Sequence, residues 1–129
     1  MKLMDVINAR RIISRVVTQK MNGNLSYGIM KFIKNSNDDE DFFNSQFKMI
    51  VEKYAQKDVK GNWLKNEDGG VLIRKDAITE CNSKIEELYS TEVNVPWMFN
   101  IQDIGSADCF SPQDLSVLDV FIKGQGENI

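Results

Sequence analysis

Four consecutive acidic side chains form the densest group of residues that could do chemistry: Asp38, Asp39, Glu40 and Asp41. Carboxylate oxygens bind divalent cations, and a negative cluster can also imitate a phosphate backbone. However, an EF-hand calcium loop has its ligands at alternate positions and a glycine at its centre, and this run has neither feature. Adjacent acids also suit the positive end of a helix dipole. We therefore expect a solvated helix start, with a partner-binding surface as the alternative.

A second acidic group lies in a turn-rich region. Glu67, Asp68 and Asp76 lie close in sequence to Arg74 and Lys75. Acids beside a lysine on a strand are typical of metal-dependent nucleases, in which the acids hold the metal. The spacing here is not distinctive of that class. A nuclease is thus a third-ranked hypothesis, and no metal site is predicted.

Three arginines mark the basic end of the chain: Arg10, Arg11 and Arg15. Residues 1–34 contain seven Lys or Arg against one acid, a net charge of +6, whereas the remainder carries −9. Complementary charge favours packing of the two regions against each other, within one chain or in a homo-oligomer. A nucleic-acid-binding face is disfavoured because no aromatic residue or glycine-rich loop interleaves the arginines.

Large aromatic side chains supply a third candidate surface. Trp63, Trp97 and Phe99, with Met98, are residues that anchor protein partners when they are exposed. Core packing is the competing interpretation and the one we favour. We keep the three aromatic residues as candidate interaction residues.

Several kinds of chemistry are excluded by composition. The chain has no histidine, so Ser-His-Asp, Cys-His and imidazole acid–base mechanisms are absent. The phosphate-binding patterns GxxxxGK[ST] and GxGxxG are also missing. Cys81 and Cys109 are far apart and form no CxxC pair, so we expect free thiols in a reducing compartment. No cofactor and no catalytic residue are predicted.

Hydrophobic patterning argues against export and membrane insertion. Arg10, Arg11 and Arg15 interrupt the apolar residues near the start, and no run reaches the roughly 18 apolar residues of a membrane span. We therefore expect a cytoplasmic product without a membrane partner.

Apolar spacing of three and four residues predicts most of the elements. We expect five helices, at 3–21, 25–33, 42–54, 76–89 and 111–122. Ser36 or Asn37 is the predicted N-cap of the third helix, Asp76 that of the fourth and Ser111 that of the fifth. The first two helices should form an antiparallel pair because their connection is short.

Two regions have β character. Gly61 and the run NEDGG at 66–70 are turn signals between short apolar pieces, which predicts a hairpin over 57–74. Alternation at 91–101 predicts extended chain, with Pro96 at an edge or a break. The predicted fold is a helix-dominated α+β domain, a bundle of about five helices with a small antiparallel β element formed by residues 63–73 and 91–101, covering residues 1–123. Residues 124–129 should form a frayed tail.

The order of several motifs resembles a family of small uncharacterised phage and prophage proteins from Gram-positive hosts. These motifs are the first helix containing NAR, the segment LSYGIMKFI, the helix ending IVEKY before KDxxGN, a Gly-Gly turn before VLI, the passage KIEELYSTEV and the closing SPQDLSVLDVFI. They span about residues 5–122. The link at 22–25 departs from the pattern by lacking a proline or lysine. The resemblance implies a phage context and supplies no catalytic residues.

This context orders the functional hypotheses. The leading expectation is a non-catalytic protein-interaction module, either virion-associated or an assembly accessory protein. The alternative is an inhibitor of a host anti-phage defence system that binds a nuclease through its acidic surface. The expected partner is therefore a phage structural protein or a host defence complex, met in the host cytoplasm or in the virion.

Overall fold

The computed structural model describes residues 1–105 and 107–123. The helices of this part are α1 Leu3–Val16, α2 Gly23–Tyr54, α3 Ile78–Tyr89, α4 Ile101–Gly105 and α5 Pro112–Leu118. Its two short strands are β1 Phe99–Asn100 and β2 Ile122–Lys123. The fold class predicted from the sequence, helix-dominated with a small β element, is confirmed. None of the described helices is long and apolar enough to cross a membrane.

Helix α2 is continuous where a break was predicted. The sequence assigned Ser36 or Asn37 to an N-cap, and this prediction is wrong because both lie inside the helix. The Ser36 hydroxyl instead donates to the Phe32 carbonyl oxygen at 2.6 Å. Arg10 donates to that hydroxyl at 2.6 Å and to Asn37 Oδ1 at 3.1 Å. The side chains of Ser36 and Asn37, which could cap a helix, therefore form hydrogen bonds at positions inside α2.

Helices α1 and α2 run antiparallel, as predicted. Arg10 in α1 donates to the Ile33 carbonyl oxygen, whereas Val17, just after α1, lines a groove with Ser26 and Met30. Later residues of the first helix thus meet earlier residues of the second. The connection contains Asn22, whose side-chain oxygen accepts from a backbone N–H in the first turn of α2 at 2.8 Å.

Three later predictions need correction. Helix α3 follows a 3₁₀ turn at Lys75–Ala77 and has no side-chain cap, so Asp76 does not cap it. The extended region predicted at 91–101 forms a strand only at Phe99–Asn100, which pairs in parallel with Ile122–Lys123. The predicted antiparallel pairing of 63–73 with 91–101 is therefore wrong. The last helix ends at Leu118, earlier than expected.

The start of α5 follows the sequence prediction. Ser111 Oγ accepts from the Asp114 N–H at 3.1 Å, and Asp114 accepts in return from the Ser111 N–H at 3.0 Å. This reciprocal pair is a capping box, with Pro112 at the first helical position. The predicted tail at 124–129 lies outside the described residues.

Contacts divide the chain into two compact units. Unit 1 comprises residues 1–40 and 92–129, and unit 2 comprises residues 41–91. Unit 1 has a core of aliphatic residues around three fully buried rings, Phe32, Phe99 and Phe121. The Phe32 ring lies 5.6 Å from Phe99 and 5.1 Å from Phe121 between centroids. The expectation of one domain over residues 1–123 stays a prediction.

Unit 2 has a smaller core. Tyr54, Ala77 and Cys81 are buried together, and Ile50 and Ile85 pack against them. Burial raises the pKa of the Cys81 thiol, which keeps it protonated and unreactive.

Unit 2 also contains a closed ring of three extended segments between residues 54 and 74. The Leu64 N–H donates to the Gln56 carbonyl oxygen, the Leu72 N–H donates to that of Leu64, and the Gln56 N–H donates to that of Leu72, at 2.8 to 2.9 Å. Each segment therefore pairs with both of the others. The three residues are eight apart, and the chain repeats in octapeptides at 55–62 (AQKDVKGN), 63–70 (WLKNEDGG) and 71–78 (VLIRKDAI).

The first two octapeptides end in matching turns. Asp58 and Asn66 each accept, through the side-chain oxygen, from backbone N–H groups two and four residues later. Gly61 and Gly69 follow with φ of +86° and +83°, a conformation that L side chains disfavour. This is the three-residue hairpin loop with a left-handed glycine. In the third octapeptide Arg74 takes the position of Asp58, and the chain enters α3.

Candidate functional site

An apolar groove lies at the end of α1 and the first turns of α2. Its volume is about 270 Å³, and it lies wholly within unit 1. Seven residues line it and define what we call the basic groove: Val17, Met21, Ser26, Ile29, Met30, Ile33 and Lys34. Val17 is 51% exposed and Met30 is 43% exposed, although both are apolar. Apolar side chains open to water in a concave surface are typical of binding sites.

Lysines lie at the edge of the basic groove, and one acid, Asp108, lines a neighbouring cavity together with Lys20 and Met21. Lys34 is one of the lining residues of the groove, and Lys20, next to Met21, is exposed. No acid belongs to the lining as the described residues give it. The groove therefore presents an apolar floor with lysine charge at its edge, which favours an apolar ligand that carries negative charge.

Arg10, a predicted interaction residue, is occupied inside unit 1. Its guanidinium donates to the Ile33 carbonyl oxygen at 3.0 Å, to Ser36 and to Asn37, and it forms an ion pair with Glu40. Only 16% of its side chain is exposed. Such multiple charge-assisted bonds fix one helix on another. Arg10 is thus a clamp between α1 and α2.

The other two predicted arginines have different surroundings. Arg15 forms an ion pair with Asp114 at 2.6 Å. The Ser111 N–H and the Arg15 guanidinium lower the pKa of the Asp114 carboxyl. Arg11 is exposed, with a long hydrogen bond of 3.4 Å to Asn8 within α1. Arg10 and Arg15 are therefore paired with acids inside unit 1, whereas Arg11 is exposed.

The acidic run lies within α2 and is not a helix start. Asp38 and Asp41 are exposed, Asp39 is half-buried and Glu40 pairs with Arg10. Partial burial raises the pKa of the Asp39 carboxyl, the adjacent Asp38 raises it further, and Arg10 opposes both. Within the described part of the chain, no three acidic or thiol groups are close enough to hold a metal ion. Two of the four acids thus remain open to a partner.

Trp63 lies in the ring of unit 2. Its indole N–H donates to the Glu52 carboxylate, and Lys57 also pairs with Glu52, at 2.7 Å. The Lys57 and Trp63 hydrogen bonds lower the pKa of Glu52. The indole side chain of Trp63 is half-buried. Its bond to Glu52 therefore joins the first hairpin to α2.

Trp97 and Phe99 lie in unit 1 and face different environments. Phe99 is only 2% exposed and belongs to the core, so it offers a partner no surface. Trp97 is half-buried and meets Tyr27 edge-on at 5.9 Å, beside a cavity of about 250 Å³. Its indole N–H is buried and has no acceptor among the described residues. This N–H lies against Gly28, where an added Cβ would be 3.3 Å away.

The basic groove was missed by sequence reasoning. Val17, Met21, Ile29 and Ile33 fall in the predicted helices 3–21 and 25–33, whose apolar spacing predicts burial, whereas Val17 is half exposed. Adjacency gave no signal, because the adjacent pairs Val6–Ile7 and Ile12–Ile13 of the same helix are both buried. The octapeptide repeat was missed as well, although Asp58 and Asn66, with Gly61 and Gly69, show its period.

Comparison with known proteins gives no match: no family model, no curated protein and no solved structure matches the chain. The resemblance to small phage proteins therefore stays a prediction.

Proposed function

We propose that the chain is a non-catalytic protein-interaction module of a phage, virion-associated or active in virion assembly, that binds a protein partner through the basic groove. The observation that carries the proposal is an apolar groove, open at Val17 and Met30, with Lys34 among its lining residues. The phage setting rests on the resemblance over residues 5–122.

The basic groove is an open apolar surface, with Val17 51% exposed and Met30 43% exposed. Such a surface suits the side chains of a protein partner. An amphipathic helix binds such a groove by placing a few apolar side chains, one turn apart, into it.

Charge selects among such helices. Arg10 and Arg15 pair with Glu40 and Asp114, so the charge near the groove comes from Lys20 and Lys34, which are exposed. Opposite charge on a partner speeds association and orients the complex, whereas like charge disfavours it. The proposed ligand is therefore an acidic amphipathic helix of another phage protein.

A defined peptide pair tests the groove. One α-helical peptide has leucines on one face and glutamates on the other, and its copy has lysines in place of the glutamates. We expect fluorescence anisotropy to show tighter binding of the acidic peptide, weakened by salt because exposed charges are screened. Met30→Asp should weaken binding at least roughly tenfold, which corresponds to about 1.4 kcal/mol.

Val120→Asp is the matched control, because Val120 is also apolar and 44% exposed but does not line the groove. It should bind like the wild type. Equal binding of the two peptides, or equal loss in the two variants, would contradict the proposal.

The second candidate function is inhibition of a host nuclease, favoured by the exposed acids Asp38 and Asp41. Such acids can occupy a channel built for phosphate. Affinity capture from infected and uninfected host lysates distinguishes the assembly role from nuclease inhibition. Recovery of tail, neck or capsid proteins by the wild type but not by Met30→Asp supports the assembly role. Recovery of a nuclease complex that is lost in Asp38→Lys and kept in Met30→Asp supports inhibition.

A further inference from the structure

The first turns of α2 also line a second cavity of unit 1, with a volume of about 250 Å³. We call it the aromatic cavity, and its lining includes Asn24, Tyr27, Trp97, Met98, Asn100 and Asp103. At about 100° per residue, Asn24 and Tyr27 lie on the face of α2 opposite to Ile29 and Ile33 of the basic groove. The two cavities can therefore be occupied independently.

Two aromatic rings belong to the aromatic cavity. Tyr27 is 52% exposed, and its ring meets that of Trp97 edge-on at 5.9 Å between centroids. The face of an aromatic ring is partially negative, so it attracts cations. Tyr27 already does so, because the Lys31 ammonium lies 5.6 Å from its ring centroid, although Lys31 is not among the lining residues.

The polar groups of the aromatic cavity also suit a cation. Asp103 is half-buried, and neither a lysine nor an arginine joins it in the lining as far as the structure describes the chain. The Trp97 indole N–H is buried against Gly28, so this donor is not open to a ligand oxygen. An anion would therefore meet a carboxylate without a basic side chain to balance it, whereas a cation would meet its opposite charge.

We propose that the aromatic cavity binds a guanidinium group, the head group of an arginine side chain. A guanidinium is planar, so it stacks on an aromatic ring while its N–H groups donate to oxygen atoms around its edge. Tyr27 supplies the ring, Asp103 the carboxylate and Asn24 an exposed amide. Met98 is 41% exposed and offers apolar surface to the methylene groups of the same arginine.

NMR spectroscopy of the wild-type chain tests this site with an internal control. The chain has two tryptophans, Trp63 in unit 2 and Trp97 in the aromatic cavity, and the variant Trp63→Phe assigns their indole N–H signals. The probes are the peptide acetyl-Gly-Arg-Gly-amide and its copy with citrulline, which has nearly the shape of arginine without the charge.

We expect the arginine peptide to shift the Trp97 signal and to leave the Trp63 signal in place. Its Kd should be at least roughly fivefold lower than that of the citrulline peptide, because citrulline has no charge for the ring or the carboxylate. Equal affinity of the two peptides, or equal shifts at both tryptophans, overturns the proposal.

Two further probes define the chemical group and its source. A copy of the peptide with lysine should bind more weakly than the arginine peptide, because an ammonium is compact and strongly hydrated and does not stack. Equal binding of these two peptides contradicts the guanidinium assignment. Tighter binding of the arginine peptide than of methylguanidinium indicates a protein partner, and the reverse indicates a free small molecule with the same group.

Substitutions then test the ring and the carboxylate separately. Tyr27→Leu and Asp103→Asn should each weaken binding of the arginine peptide several-fold, whereas Lys31→Met should strengthen it by removing a cation that competes for the Tyr27 ring. Asp38→Asn is the control, because Asp38 is an exposed acid of unit 1 outside the lining. Circular dichroism checks that each variant is folded. An equal loss in Asp38→Asn and Asp103→Asn, or weaker binding by Lys31→Met, contradicts the proposal.

Discussion

The two units of the chain are stabilised in different ways. Unit 1 buries three phenylalanine rings contributed by distant parts of the sequence, at Phe32, Phe99 and Phe121. Unit 2 buries Tyr54, Ala77 and Cys81 together, and adds the ring of backbone hydrogen bonds. Large side chains from remote segments hold the first unit, whereas neighbouring octapeptides hold much of the second.

Because of this difference, the stability of the two units should depend on different kinds of substitution, in buried side chains for one and at turn backbone positions for the other. A buried aromatic ring contributes through apolar area and packing, so its removal leaves a cavity. A hairpin turn contributes through φ angles that only certain residues adopt, so its side chains can change while its glycines cannot. Unit 1 should therefore respond most to truncation in its core, and unit 2 to substitution at its turns.

The largest effect is expected for Phe32→Ala. Phe32 is fully buried between two aromatic rings, so its truncation should lower the free energy of unfolding by about 3–5 kcal/mol. Urea denaturation followed by circular dichroism measures this change. Phe42→Ala, at an exposed ring, should cost less than about 1 kcal/mol in dilute solution. Comparable losses in the two variants would disprove the assigned core.

Loss of the Arg10 clamp should rank second. Arg10→Ala removes charge-assisted bonds to Ile33, Ser36 and Glu40, and we expect a loss of about 2–3 kcal/mol in the same assay. Arg11→Ala is the control, since Arg11 is exposed one residue away, and should be nearly neutral. If the two substitutions cost the same, Arg10 does not act as a clamp.

Turn glycines should have an intermediate effect confined to unit 2. Gly61→Ala and Gly69→Ala place an L side chain at positive φ and should each cost about 1–2 kcal/mol. Hydrogen exchange should speed up at the ring amides of Leu64 and Leu72. Gly23→Ala is the control, with ordinary φ and no atom within 4 Å of the new Cβ. Unchanged exchange at the ring amides would argue against the closed ring.

The smallest effect concerns the pKa of Asp114. Its pKa is lowered in the folded chain, so its contribution to stability is present above the ordinary Asp pKa of about 3.9 and is lost as the pH falls through the lowered value. NMR titration of the carboxyl carbon should give a midpoint below the ordinary value. Arg15→Ala should move that midpoint upward. A midpoint that does not respond to Arg15 would exclude the ion pair in solution.

Local signals in the sequence predicted local structure. The start of α5 is encoded by Ser111, Pro112 and Asp114 within four residues, and it appears as predicted. The continuity of α2 through Ser36 was not predictable in this way. Arg10, which lies 26 residues before Ser36 in the sequence, donates to the Ser36 hydroxyl, and a contact between residues so far apart is not encoded in the local sequence.

The candidate site was less predictable than the fold. Residue type alone singled out Arg10 and Phe99, yet the structure uses one as a clamp and the other in the core. The basic groove depends on which side of a helix end Val17 and Met30 occupy. That depends on how α1 packs on α2, a property that spacing within either helix does not contain.

The octapeptide ring also restricts how this chain can change in length. In a solenoid each repeat contacts only its neighbours, so repeats can be gained or lost one at a time. Here Gln56, Leu64 and Leu72 each donate one backbone hydrogen bond to another of the three and accept one. Three segments therefore satisfy all of these bonds. Removing or adding an eight-residue segment would leave unpaired backbone groups, and viable length variants should therefore occur in the hairpin tips, at Val59 and Glu67.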